Sequence, residues 1–156
     1  MVRTKTLGLL LLTCGCGYKL PPKEVLQQGC HVWYSHNNSR RGVSAEVRSD
    51  GVAVIQAGRE ELLARLLDNG DITLEGEVVG KIEGERVVIG DEQPFEPELY
   101  VDLGGDAPFL LVRWFKGAEP YVHIERSAAC SLRETALGAA PVVLETRDAM
   151  PQSGGY

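Results

Sequence analysis

The chain has 156 residues, enough for one domain and a short tail. Its 44% apolar and 24% charged residues are the balance of a folded globular protein, and its 18 glycines and 8 prolines favour short, turn-linked elements over a helical bundle. A net charge of −6 argues against a nucleic-acid partner, whose phosphates need a basic surface.

The first element in chain order is Met1 to Gly15. Arg3 and Lys5 precede a short apolar run from Leu7 to Leu12, and small residues and cysteines follow it. That layout is a secretory signal peptide, because the apolar run is far shorter than the roughly 20 residues a spanning helix needs. A buried N-terminal strand also explains the leucines, but not the cations before them or the cysteines after them.

The stretch Leu11-Leu12-Thr13-Cys14-Gly15-Cys16-Gly17-Tyr18 resembles the lipobox of bacterial lipoproteins. In that family a peptidase cuts before a cysteine that carries diacylglycerol, and the new amino group is often acylated with a palmitate-type chain. The resemblance covers about the first twenty residues and implies nothing about the fold beyond them. It points to Cys16 as the lipidated residue, with small Gly15 before it. Thr13 departs from the usual leucine, and Cys14, with Leu11 three residues before it, is the alternative. Gly17 is not the aspartate that signals inner-membrane retention, so the resemblance implies an outer-membrane anchor with the domain in the periplasm. Loss of Arg3 and Lys5 with the signal makes the mature chain two units more acidic. Several acyl chains on one cysteine hold a small domain durably, where one chain gives only marginal attachment.

The resulting division is a signal peptide over 1–15, a lipidated N-terminus and tether over 16–29, one globular domain over 30–148 and a flexible tail over 149–156. Within the tether, Lys19-Leu20-Pro21-Pro22-Lys23 reads as a stiff spacer lifting the domain off the headgroups, and Glu24 to Gln28 as a helical turn. Regular alternation begins near Gly42, with Val43, Ala45 and Val47 on one face. Ser49-Asp50-Gly51 turns into a second strand over Val52 to Gln56. Arg59 to Asn69 carries Leu62, Leu63, Leu66 and Leu67 at helical spacing, and Asn69-Gly70 ends it; this is the clearest helix predicted.

Asp71 to Val79 alternates again, Gly80 to Gly84 turns, and Arg86 to Ile89 is a further strand. Asp91 to Pro97 is an acidic loop and Glu98 to Leu103 a short strand. Phe109 to Lys116 and Tyr121 to Glu125 form a hairpin, with Leu110, Val112 and Trp114 on one face. Ser127 to Leu137 holds a short helix whose Ser131 and Glu134 are spaced as a capping box, and Val142 to Thr146 is a last strand. The expected fold class is α+β: a small antiparallel sheet with one clear amphipathic helix.

Chemistry-bearing residues are sparse. Export leaves Cys30 and Cys130 as a pair suited to a disulfide, whereas in a reducing cytosol they are two buried thiols. His31, His36 and His123 have no zinc-site spacing with Cys30, so no metal or cofactor is assigned. Ser35-His36 and Ser44 lack a Gly-x-Ser-x-Gly elbow, and no catalytic residue is assigned. Glu60-Glu61 and Asp91-Glu92 read as surface charge, and Asp68-Asn69-Gly70-Asp71 as a turn. Trp33, Tyr34, Trp114, Phe115 and Tyr121 are candidates for a binding face. The expectation is therefore a membrane-anchored envelope lipoprotein acting as a binding or assembly module. Its partners are the bilayer and an unidentified envelope protein. The alternative is a small envelope hydrolase or cell-wall-active enzyme using His31, His36 or His123.

Overall fold

A computed structural model describes residues 18–90, 99–104, 108–113 and 122–147. After a short helix α1 (Lys23–Leu26), the chain runs through β1 (Cys30–Ser35), a 3-10 turn (His36–Asn38), β2 (Gly42–Val47), β3 (Val52–Ala57), β4 (Glu60–Leu66) and β5 (Asp71–Leu74). It continues through β6 (Glu77–Glu83), β7 (Arg86–Ile89), β8 (Leu99–Asp102), β9 (Phe109–Arg113) and β10 (Val122–Arg126), and closes with helix α2 (Leu132–Thr146). Each strand pairs antiparallel with its neighbours in sequence, and β1 pairs with β10, so the ten strands form a closed up-and-down barrel. The antiparallel β with one long helix fits the expected α+β class, but the helix is not the one expected, and the sheet is a closed barrel where a small sheet was expected. Closure leaves no unpaired edge for another strand to extend.

Period-2 alternation sends one set of side chains into the barrel. Val32, Ala45, Ile55, Ala64, Ile72, Val87, Val101, Val112 and Ile124, one from nearly every strand, have no more than trace exposure. A barrel of eight strands is just filled by its own side chains, and ten make it wider. Helix α2 occupies the extra width. It packs against β1 to β7 and β10, and every residue from Thr135 to Val143 is buried. That run exceeds two helical turns, so the whole circumference is covered, whereas a surface helix buries one stripe. The plug fits because it is built from Ala136, Gly138, Ala139 and Ala140. A Cβ at Gly138 would lie 2.8 Å from Val32 Cγ2, and one at Gly80 would lie 3.6 Å from Ala140 Cβ.

The entry of α2 follows the expected capping box: Ser131 Oγ accepts from Glu134 N and Glu134 Oε1 accepts from Ser131 N, both at 3.2 Å. Inside the apolar lumen, Thr135 and Thr146 donate their hydroxyls back to Ser131 O and Val142 O at 2.7 Å, so neither buried oxygen is left without a partner. The helix continues through Pro141. The strand expected over Val142 to Thr146 is therefore its last turn, because the surrounding wall holds the chain helical past a residue that removes one backbone donor.

The leucine-rich segment is the largest correction. Glu60–Leu66 is strand β4, with Leu62 and Ala64 buried inward and Leu63 41% exposed outward. Doublets of leucine satisfy helical and strand periods alike, and pairing to β3 and β5 selects the strand. The amphipathic helix expected there does not exist. Likewise, Asp71 to Val79 is two strands, not one. The turn is Glu75-Gly76, both at positive φ (51° and 84°), which is the conformation a two-residue hairpin requires. Gly80, expected in a turn, lies within β6. Strands β2, β3, β7, β8 and the β9–β10 hairpin fall where they were expected; Trp114 and the 149–156 tail lie outside the described residues.

The expected spacer is part of the folded body. Leu20 N donates to Arg40 O at 2.7 Å, Gly42 N donates to Tyr18 O at 2.9 Å, and Lys19 bridges to Arg41. Leu20 and Leu26 then pack with Trp33 as a second apolar cluster on the outer wall. A side chain at Gly42 would overlap the Tyr34 carbonyl, so this junction needs glycine.

Candidate functional site

Among the described residues the ladder between β1 and β10 has two residue pairs, Val32 with Arg126 and Trp33 with Glu125. Side chains reinforce this short seam. The Trp33 indole donates to Glu125 Oε2 at 2.8 Å, and Ser127 Oγ accepts from His31 N and donates to Gly29 O, each at 2.8 Å. Below them a disulfide joins Cys30 to Cys130, residues 100 positions apart. The bridge ties the first strand to the segment that feeds the plug. It closes the barrel's seam and holds the helix entry with one covalent link.

Among the described residues the interior is filled with apolar side chains. On the outer wall beside the seam, a cleft of about 490 Å³ opens between the N-terminal segment and β1. Its floor is Trp33 with Leu20 and Leu26, its walls include Pro21 and Pro22, and its rim carries Lys23, Glu24, Ser39 and Arg40. The Trp33 indole nitrogen is committed to Glu125 and the residue is only 5% exposed, so the accessible surface of the cleft is made mostly by the prolines and the rim. The rim offers one carboxylate, two cations and a hydroxyl. An extended apolar or aromatic segment with polar flanks suits that surface. The residues were individually visible in the sequence, but only the folding back of Lys19–Pro22 brings them together.

Of the aromatic candidates, Trp33 forms the cleft floor and Tyr34 points into the barrel core, where burial pushes its phenol above the usual 10.0. Trp114, Phe115 and Tyr121 lie outside the described residues. His31 and His36 do not converge. His31 lies at the disulfide end of β1 and His36, exposed, just past its other end, a span of roughly 17 Å at strand rise. His123 is on β10 opposite Leu111. His31 Nδ1 is buried with no partner among the described residues. Ser35 lines the cleft, whereas Ser44 is buried at 4% exposure. Among the described residues no three His, Cys, Asp or Glu side chains come together as a metal set.

Elsewhere on the wall, Asp102 accepts from Arg113 Nε at 2.8 Å and pairs with Arg86 at 3.7 Å, while Arg86 lies 5.6 Å over the Tyr100 ring. This is a ladder of cross-strand pairs over β7, β8 and β9, the unit by which sheets gain a few tenths of a kcal/mol to about 1 kcal/mol. Exposed Glu46, Glu61, Arg65 and Lys81 stand on the same outer face. Apolar Leu63, Val78 and Phe109 are exposed beside these charges, so the outer wall is mixed, and strands of 4 to 7 residues are short for crossing a membrane.

Three comparisons complete this picture: no family model matches the chain, and neither a curated protein nor a solved structure is significantly similar to it.

Proposed function

We propose that the chain is an exported lipoprotein, anchored through Cys16, whose plugged barrel serves as a binding or assembly module at the cell envelope. The observation that carries this reading is the filled lumen. A wide barrel that keeps an open interior offers it to a small ligand, whereas this one spends it on α2, leaving the outer wall for recognition. The Cys30–Cys130 bridge supports export, since disulfides persist in oxidising compartments. The cleft over Trp33 is the candidate partner site.

Two measurements test the reading. The intact mass of membrane-extracted protein is expected to show cleavage before Cys16, added acyl mass, and a gain of two hydrogen atoms on reduction. A full-length, unacylated chain in the soluble fraction would overturn the anchor. Photo-crosslinking in cells from Lys23 and Ser39 is expected to give a discrete adduct that is absent when the probe is at Lys81, across the barrel. Equal labelling from both walls would remove the cleft as the partner site.

A further inference from the structure

Residues 18 to 20 are pinned at one particular end of the barrel. Tyr18 O accepts from Gly42 N, and Lys19 bridges to Arg41, so the chain leaves the fold at the rim formed by the β1–β2 connection and the Gly58-Arg59 turn. Only two residue steps separate Tyr18 from Cys16, and they span at most about 7 Å when fully extended. The opposite rim, with the Ser49-Asp50 turn and Cys130, is roughly 20 Å away along six-residue strands. A lipid on Cys16 therefore cannot hold the barrel at a distance.

Charge favours the part of that rim next to the chain exit. Lys19, Arg40, Arg41 and Arg59 are all exposed on this rim, and none has an ion-pair partner among the described residues. They form a basic quadrant on an otherwise acidic protein, directly around the point where the chain leaves. Past Arg59 the same rim turns acidic, at exposed Glu60, Glu75 and Glu77, and the chain between β7 and β8, which leaves and rejoins the barrel at this end, carries Asp91, Glu92, Glu96 and Glu98. Each cation held near an anionic bilayer strengthens partitioning about fivefold.

We infer that the lipidated protein sits flush on an anionic lipid surface, its Lys19, Arg40, Arg41 and Arg59 rim against the headgroups and its disulfide end pointing away. This rests on the reading of Cys16 as lipidated. The Lys19–Lys23 segment is then a strap that docks the barrel. Use of Cys14 instead would lengthen the reach to about 14 Å and leave the same rim lowest.

The test uses the membrane-extracted, lipidated protein in phosphatidylcholine vesicles with or without phosphatidylglycerol. A fluorophore is placed at His36→Cys on the basic rim or at Ser49→Cys on the opposite one, with a quencher on the lipid headgroup. Intact mass is read first: a preparation without acyl mass removes the lipoprotein reading and the docking with it. With acyl mass present, quenching at position 36 is expected to exceed that at 49 several-fold in phosphatidylglycerol vesicles. The ratio should fall when Arg40→Glu and Arg41→Glu are combined, or when salt shortens the screening length. Equal quenching at the two positions, stronger quenching at 49, or a ratio indifferent to the charge reversal would overturn the docking while leaving the anchor intact.

Discussion

Gly138 tests whether the helix truly runs through the barrel. In an exposed helix, Gly→Ala stabilises by about 1 kcal/mol, because alanine loses less backbone freedom on folding. Here the added Cβ would meet Val32 Cγ2 at 2.8 Å and Val32 Cβ at 3.0 Å, with Val47 Cγ2 at 3.5 Å behind. Val32 is fully buried on β1 and has nowhere to yield, so overpacking costs roughly 1–3 kcal/mol and outweighs the helix gain. Gly138→Ala is expected to lose about 1 kcal/mol net, and Gly138→Val, with two further methyls, about 3 kcal/mol or more. Chemical denaturation of both variants measures this. The double variant Val32→Ala with Gly138→Ala should be more stable than the sum of its parts by about 1 kcal/mol, since the new methyl enters the space the valine vacates. A Gly138→Ala protein more stable than the parent would refute the encircled plug, because it would place that helix face in open space.

Four further outcomes follow from the same structure. Leu62→Lys should cost about 3 kcal/mol or more, whereas Leu63→Lys should stay within about 1 kcal/mol; equal damage from the two would favour a helix over strand β4. Cys30→Ala with Cys130→Ala opens a 100-residue loop and should lower stability by an amount on the order of 4–5 kcal/mol, readable as a drop in the melting temperature that reductant reproduces in the parent. Ser131→Ala should cost about 1 kcal/mol through the lost cap at the plug entry, measurable in the same denaturation assay. The Tyr34 phenol is held above its free value of 10.0 by burial, so the folded state keeps the proton longer than the unfolded chain. Its contribution is complete below pH 10 and is lost as pH rises through the folded value, so a Tyr34→Phe protein should lose less stability than the parent as pH rises above 10.

Local signals were legible wherever one chemistry allowed one structure. Alternation over Val43–Val47, the Asp50-Gly51 turn and the Ser131–Glu134 box each specify their geometry with nearby atoms alone. Leu62-Leu63 and Leu66-Leu67 match two periods equally well, so only pairing with β3 and β5 decides between them. Pro141 is a helix breaker in water, and the helix passes through it because the barrel wall holds the lumen segment in place. The cleft was hidden for another reason: Leu20, Leu26 and Trp33 meet only after the segment before β1 has folded back across it.

By itself, then, the sequence determined an antiparallel β-rich domain, its polar and apolar strand faces, the capped start of its last helix and the pair of cysteines that would bridge. Those features depend on contacts within a few residues or on simple residue counts. Closure into a barrel, the burial of an Ala- and Gly-rich helix inside it, and the exit of the N-terminus at a basic rim were decided only by tertiary structure. Ten strands enclose more space than their own side chains fill, and a chain with small residues at Ala136, Gly138, Ala139 and Ala140 can fill it from within.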